Sequence, residues 1–139
     1  MAQPTLSDVT THGVRVGAVA FYLPQESSPE QDHYVWGYRV LIVNDSEQRV
    51  QLLSRHWVII DAEGRGEEVR GPGVVGETPT LDPGQAFKYV SGCPLSTEWG
   101  TMEGEYTMLR EDGSTFEAKI GRFYLTTRSM EPDAEGSPR

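Results

Sequence analysis

Between Tyr34 and Val43 the chain alternates with a period of two. Tyr34, Trp36, Tyr38, Val40 and Ile42 fall on one face, and Val35, Gly37, Arg39, Leu41 and Val43 on the other. A strand with one face buried produces that pattern, and the first set is the predicted core face. The same reading predicts a strand over residues 14–23 (VRVGAVAFYL), rich in valine and aromatics. Another covers 50–61 (VQLLSRHWVIID), with a bend or bulge near Ser54. Strands follow over 86–91 (AFKYVS) and over 100–110, where Met102, Tyr106 and Met108 share a face. The last runs over 115–126, with Phe116, Ala118 and Ile120 on one face and Gly121 placed to shift the register.

Turn residues separate these runs. Asn44–Gln48 is long enough to reverse direction, AEGRG (62–66) is a hairpin tip from which Glu67–Arg70 returns, and Asp112-Gly113 is a strong hairpin signal. Residues 24–32, with two prolines, read as an exposed and mobile loop, and 92–98 as irregular. No stretch holds a period of 3.6. Many short strands between turns predict an all-β chain, and their uneven spacing favours an antiparallel β-sandwich over a barrel. One domain is expected over 14–127, preceded by a flexible lead-in (1–13) and followed by a disordered tail (128–139).

RGPGVVG (70–76) contains a GxGxxG pattern, Gly71, Gly73 and Gly76. A dinucleotide fingerprint needs a helix directly after its glycines, because the helix N-terminus carries the pyrophosphate. Thr78-Pro79 and Asp82-Pro83 forbid that helix, since each proline removes an amide and pushes its predecessor out of helical space. There is no GK[ST] either. Two readings remain. The glycines supply positive φ or close backbone approach in a long connection. Alternatively the loop's amides, with Arg70 and Arg65 near them, form a nest for a small anion such as phosphate, pyrophosphate or a nucleotide.

Composition narrows the partners. At 139 residues with a formal charge of −9, the chain is large enough for a core and lacks the basic balance of a nucleic-acid binder. A lone cysteine, Cys93, excludes an internal disulfide and fits a reducing compartment. The N-terminus has no basic start followed by an apolar run, and no apolar run is long enough to span a membrane, so a cytoplasmic protein is expected.

Candidate chemistry is sparse. His12, His33 and His56 are scattered, so no metal site and no cofactor is predicted. Asp32-His33, and Asp61, Glu63, Glu67 and Glu68 around a hairpin tip, read as solvated surface. Ser54 and His56 share a strand face without an orienting acid in view, there is no GxSxG elbow, and Cys93 precedes a proline without an evident base. No catalytic residue is therefore assigned. The aromatics Tyr34, Trp36, Tyr38, Trp57, Tyr89, Trp99 and Tyr106 are expected mainly in the core, with one or two exposed.

SRHW (54–57), GPGVVG (71–76), PGQAFKY (83–89), PL (94–95) and GTMEGEY (100–106) occur in one order, and together they make the chain resemble the ApaG family, also called CorD, over about residues 14–127. The resemblance implies an immunoglobulin- or fibronectin type III-like fold. It also implies kinship with domains of eukaryotic F-box proteins and of a polymerase-interacting protein, which look like protein-interaction modules. In bacteria it implies a genetic association with cobalt and magnesium resistance. It supplies no catalytic residues, and Arg70, Gly71, Gly73 and Gly76 are its one suggested ligand loop. The expectation is a non-enzymatic module with a protein partner, homodimers included, and small-anion binding at Arg70–Gly76 as the alternative. The first predicts an exposed apolar patch away from the loop. The second predicts amides and Arg70 converging on one concavity.

Overall fold

A computed structural model describes residues 5–127. Two antiparallel sheets pack as a sandwich. One has the order β1–β2–β3–β7, built from β1 (Leu6–Thr11), β2 (Val14–Tyr22), β3 (Tyr34–Asn44) and β7 (Ala86–Leu95). The other has the order β5–β4–β8–β9, from β5 (Gly66–Pro72), β4 (Val50–Asp61), β8 (Trp99–Arg110) and β9 (Thr115–Thr126), with the short β6 (Thr80–Leu81) pairing the start of β4. The expected sandwich is the observed fold.

The alternation in sequence is the alternation in space. Trp36, Tyr38, Val40 and Ile42 of β3 are buried, as are Val14, Val16, Ala18 and Ala20 of β2 opposite them. From the other sheet Leu52, Trp57, Met102, Tyr106, Met108, Phe123 and Leu125 meet them. Each large side chain so buried contributes about 1.5–3 kcal/mol relative to exposure. Polar links cross the same core. Trp36 Nε1 donates to Thr126 O at 2.8 Å, and the Tyr89 and Tyr106 hydroxyls, one from each sheet, meet at 2.5 Å. Burial pushes both phenols up, so they stay neutral. Cys93 is buried as well, and burial raises its thiol to about 12, which leaves it without nucleophilic character at neutral pH.

Both predicted irregularities are present. The β4–β8 register shifts between Leu52 and Ser54, and the β8–β9 register shifts where Gly121 and Arg122 sit opposite Glu103. The first shift turns Ser54, His56 and Val58 outward and sends Arg55 and Trp57 inward. Gly121 has a packing reason too: a Cβ there would lie 2.8 Å from Val9 of β1.

Two expectations need correction, and a third, the exposed loop at 24–32, gains detail. Residues 6–11, expected as part of a flexible lead-in, form β1, because Leu6–Thr11 pairs in register with Val14–Val19 through a tight turn at His12-Gly13. Their weak polar alternation gains its hydrophobic support from β2 and β9, not from itself. Residues 92–95, expected as irregular, continue β7; Pro94 is tolerated there because β7 is the outermost strand of its sheet. The loop at 24–32 holds two 3₁₀ turns (Pro24–Glu26 and Pro29–Gln31), and Ser27 fixes them by donating to Leu23 O and accepting from Val35 N. The expected tail, 128–139, lies outside the described residues.

Candidate functional site

The glycine loop is a tight hairpin. Val74 N donates to Glu77 O and Glu77 N to Val74 O, both at 2.8 Å, enclosing Val75 and Gly76. Val75 has φ 42° and Gly76 φ 81°, the paired positive values of a type I′ turn. Gly73 is also at positive φ, and a Cβ on it would lie 2.3 Å from Glu77 O. The result drives Val74 into the core, where it is buried, and leaves Val75 exposed at the tip. Valine is β-branched and disfavoured at positive φ, so the tip is strained.

The cation of this loop is Arg55. Its Nη1 donates to Pro72 O and Gly73 O at 2.9 and 3.0 Å, and its guanidinium lies so close to Gly71 that a Cβ would meet it at 2.9 Å. Gly71, Gly73 and Gly76 are thus gathered in one short segment. Arg70 is not brought in with them: it stands on the outer face of β5 and pairs with Glu68 at 3.3 Å. The amides of Gly73, Val74 and Glu77 all donate to backbone carbonyls.

Arg70 instead joins a row of charge across the five-stranded sheet. Register aligns Arg70, His56, Glu105 and Lys119 on β5, β4, β8 and β9. His56 has a carboxylate on each side to donate to, Glu105 at 2.6 Å from Nδ1 and Glu68 at 2.9 Å from Nε2. These two bonds, Glu105 first, hold the imidazole above the usual histidine range. Burial works to raise the Glu105 carboxyl, but His56 and Lys119 outweigh it and keep it low. Glu103–Arg122 and Thr107–Glu117 extend the row on both sides. The sequence shows no orienting acid for His56. The acid comes from β8, and only the β4 bulge and the strand register reveal that Glu105 lies opposite. Among the described residues no group of three His, Cys, Asp or Glu side chains could hold a metal ion.

The outer face of the four-stranded sheet is different. Leu6, Leu41 and Val90 are 60%, 41% and 55% exposed, and Val19, Phe21 and Val43 are half-buried among them. Register confirms one surface: Leu6, Val19, Arg39 and Val90 form one row, and Asp8, Gly17, Leu41 and Lys88 the next. Its charges are few. Arg15 pairs with Asp8 at 2.7 Å, Arg39 lies over the Phe21 ring at 5.4 Å, and Lys88 has no ion-pair partner among the described residues. A Cβ at Gly37 would meet the Phe21 ring and force it to shift.

The family model described as the ApaG domain matches residues 24–110, more than half of the chain. The chain belongs to the ApaG family. It is 56% identical over 115 residues to Protein ApaG of Brucella canis, covering 83% of this chain and 88% of that protein. Among solved structures, it is similar to a crystal structure of a Bordetella pertussis protein described as ApaA (46% identity, TM-score 0.81, covering 85% of this chain and 96% of that one). A structural-genomics X-ray structure is similar at 44% identity and TM-score 0.79, covering 86% and 90%. The family match covers the glycine loop, β3 and β7 of the four-stranded sheet, and all of the other sheet but β9. No helix of the described residues is long and apolar enough to cross a membrane.

Proposed function

We propose that this ApaG protein is a non-enzymatic protein-interaction module that docks its partner on the outer face of the four-stranded sheet. One observation carries the reading: Leu6, Leu41 and Val90 stand exposed on a single face, on the sheet that does not bear the glycine loop. Contiguous exposed apolar side chains on a folded domain mark contact surfaces. The partner is a protein surface of mixed aliphatic and acidic character, because the basic groups of the face without an ion-pair partner among the described residues are Arg39 and Lys88, while Arg15 is paired with Asp8. A cytoplasmic setting fits the single thiol. Any link to cobalt or magnesium resistance is then indirect, acting through that partner.

Small-anion binding at Arg70–Gly76 is the second reading, and the loop geometry supports it less: Arg70 turns to Glu68, Arg55 bonds carbonyls, and three loop amides donate internally. The test uses affinity capture with the wild-type chain and with Leu41→Glu, followed by titration of the purified captured protein. Loss of binding in Leu41→Glu with unchanged melting supports the docking face. Binding retained by Leu41→Glu but lost on adding pyrophosphate, or in Arg70→Ala, supports the loop. Gly73→Val is unsuited to that comparison because its Cβ would strike Glu77 O.

A further inference from the structure

A sandwich has four strand edges, and three of them are closed here. β1 and β9 lie against each other across the sandwich: Lys119 N donates to Thr11 Oγ1 at 3.2 Å, and Gly121 packs on Val9 and Ser7. β5 is short and carries Glu67, Glu68 and Arg70 along its length, and its end turns directly into the strained hairpin. Charges, shortness and cover are the means by which folded proteins protect edges.

β7 has little of this protection. It is ten residues long, ends its sheet, and bears a single charged side chain, Lys88. Its free backbone groups follow from the antiparallel ladder. Asn44 bonds toward the β7 side, donating to Gln85 O and accepting from Gly84 N, whereas Val35 O accepts from Leu23 N on the β2 side. Alternation then directs Trp36, Tyr38, Val40 and Ile42 at β7, where their register partners are Cys93, Ser91, Tyr89 and Phe87. Lys88, Val90 and Gly92 are left with both N–H and C=O pointing out of the sheet. Pro94, without an N–H, ends the run.

The side chains of Lys88 and Val90 lie on the apolar outer face. From this coincidence we infer that β7 receives an extended segment of a partner protein by strand addition, with an aliphatic residue opposite Val90 and an acidic one opposite Lys88. Main-chain bonds to Lys88, Val90 and Gly92 supply affinity, and the alternate side chains supply selectivity. Arg39, in the row of Val90, reinforces the preference for acid. This inference rests on the docking face proposed above and assigns its occupant.

The test is selection from a random linear peptide library displayed on phage, followed by amide hydrogen exchange of the chain with the selected peptides. Enrichment of alternating aliphatic and acidic residues, with slowed exchange at Lys88, Val90 and Gly92, is the expected result. Lys88→Glu lowers affinity for those peptides at least about tenfold and shifts selection toward basic residues. Val90→Pro removes an outward amide and abolishes binding; Lys88→Glu keeps the test decisive if that variant folds poorly. Selected peptides without acid, or protection outside β7, overturns the inference. Protection at β7 that grows with protein concentration and no peptide assigns the edge to a second copy, which also overturns it. If strand addition fails while Leu41→Glu still abolishes partner capture, the docking face stands without it. If Leu41→Glu also leaves capture unchanged, both fall.

Discussion

The two outer faces of this sandwich come from strands of similar length and from the same alternation, yet they carry opposite chemistry. On the five-stranded sheet nearly every outward charge meets an opposite charge on the next strand: Glu68 and Glu105 on His56, Lys119 on Glu105, Arg122 on Glu103. On the four-stranded sheet most outward positions are aliphatic, aromatic or glycine; Arg15 and Asp8 pair with each other, Arg39 lies over Phe21, and Lys88 stands without an ion-pair partner among the described residues. A face whose polar groups are mutually satisfied offers little to a partner, because docking there has to break existing bonds before making new ones. A face of exposed aliphatics with one uncommitted cation gains from being covered. The first face holds strands together, and the second is the one the proposed docking would cover.

The sharpest way to break that contrast is to charge the apolar face. Leu41→Glu combined with Val90→Glu is expected to weaken partner binding by about a hundredfold or more, the cost of desolvating two unpaired carboxylates at the centre of a contact. Melting temperature stays near wild type because both side chains are exposed. Titration calorimetry beside thermal denaturation checks both parts.

Cutting the charged row acts on stability instead. His56→Ala leaves the partly buried Glu105 without its main partner and is expected to cost about 1–2 kcal/mol, a figure kept low because solvent reaches the site. Urea denaturation measures it, and partner binding is unchanged. The same pair sets a pH dependence. His56 has a raised pKa in the folded chain, so its stabilisation is complete below the unfolded histidine value of about 6.5 and fades as pH rises through the higher folded value. Unfolding midpoints therefore decline as pH rises above about 6.5 in the wild type, and His56→Gln removes that decline. A slope that persists in the variant assigns it to other groups.

The glycine loop belongs to neither face and gives the smallest effect, with the opposite sign. Val75→Asn relieves a β-branched residue at φ 42° and is expected to stabilise the chain by about 1 kcal/mol. A loss of stability there shows that the Val75 side chain makes contacts its exposure does not suggest.

How much of this was readable in advance follows from range. The core face of β3, the bulge near Ser54, the Gly121 shift and the Asp112-Gly113 turn are local patterns, and each appears as read. The failures are elements held by distant chain. Leu6–Thr11 has too few apolar residues to declare itself a strand, and β2 and β9 make it one. Cys93-Pro94 looked irregular because Pro94 argues against a strand interior, and only the strand order shows that β7 is an edge. At the site, the motif fixed where the glycines cluster but misassigned their cation, since Arg70 and Arg55 are distinguished by which face each strand position takes after the bulge. The acid for His56 was hidden for the same reason. The apolar outer face was half visible: Leu41 and Val43 on the far side of β3 already broke the expected polar alternation.

The measurement that tests the contrast most directly is side-by-side titration of the captured partner into the wild type, Leu41→Glu/Val90→Glu and His56→Gln. Binding lost only in the first variant, with stability lowered only in the second, is the predicted result. Binding that survives charging of the four-stranded face but fails in His56→Gln, at a temperature where both variants are folded, would contradict it and move the docking site to the charged row.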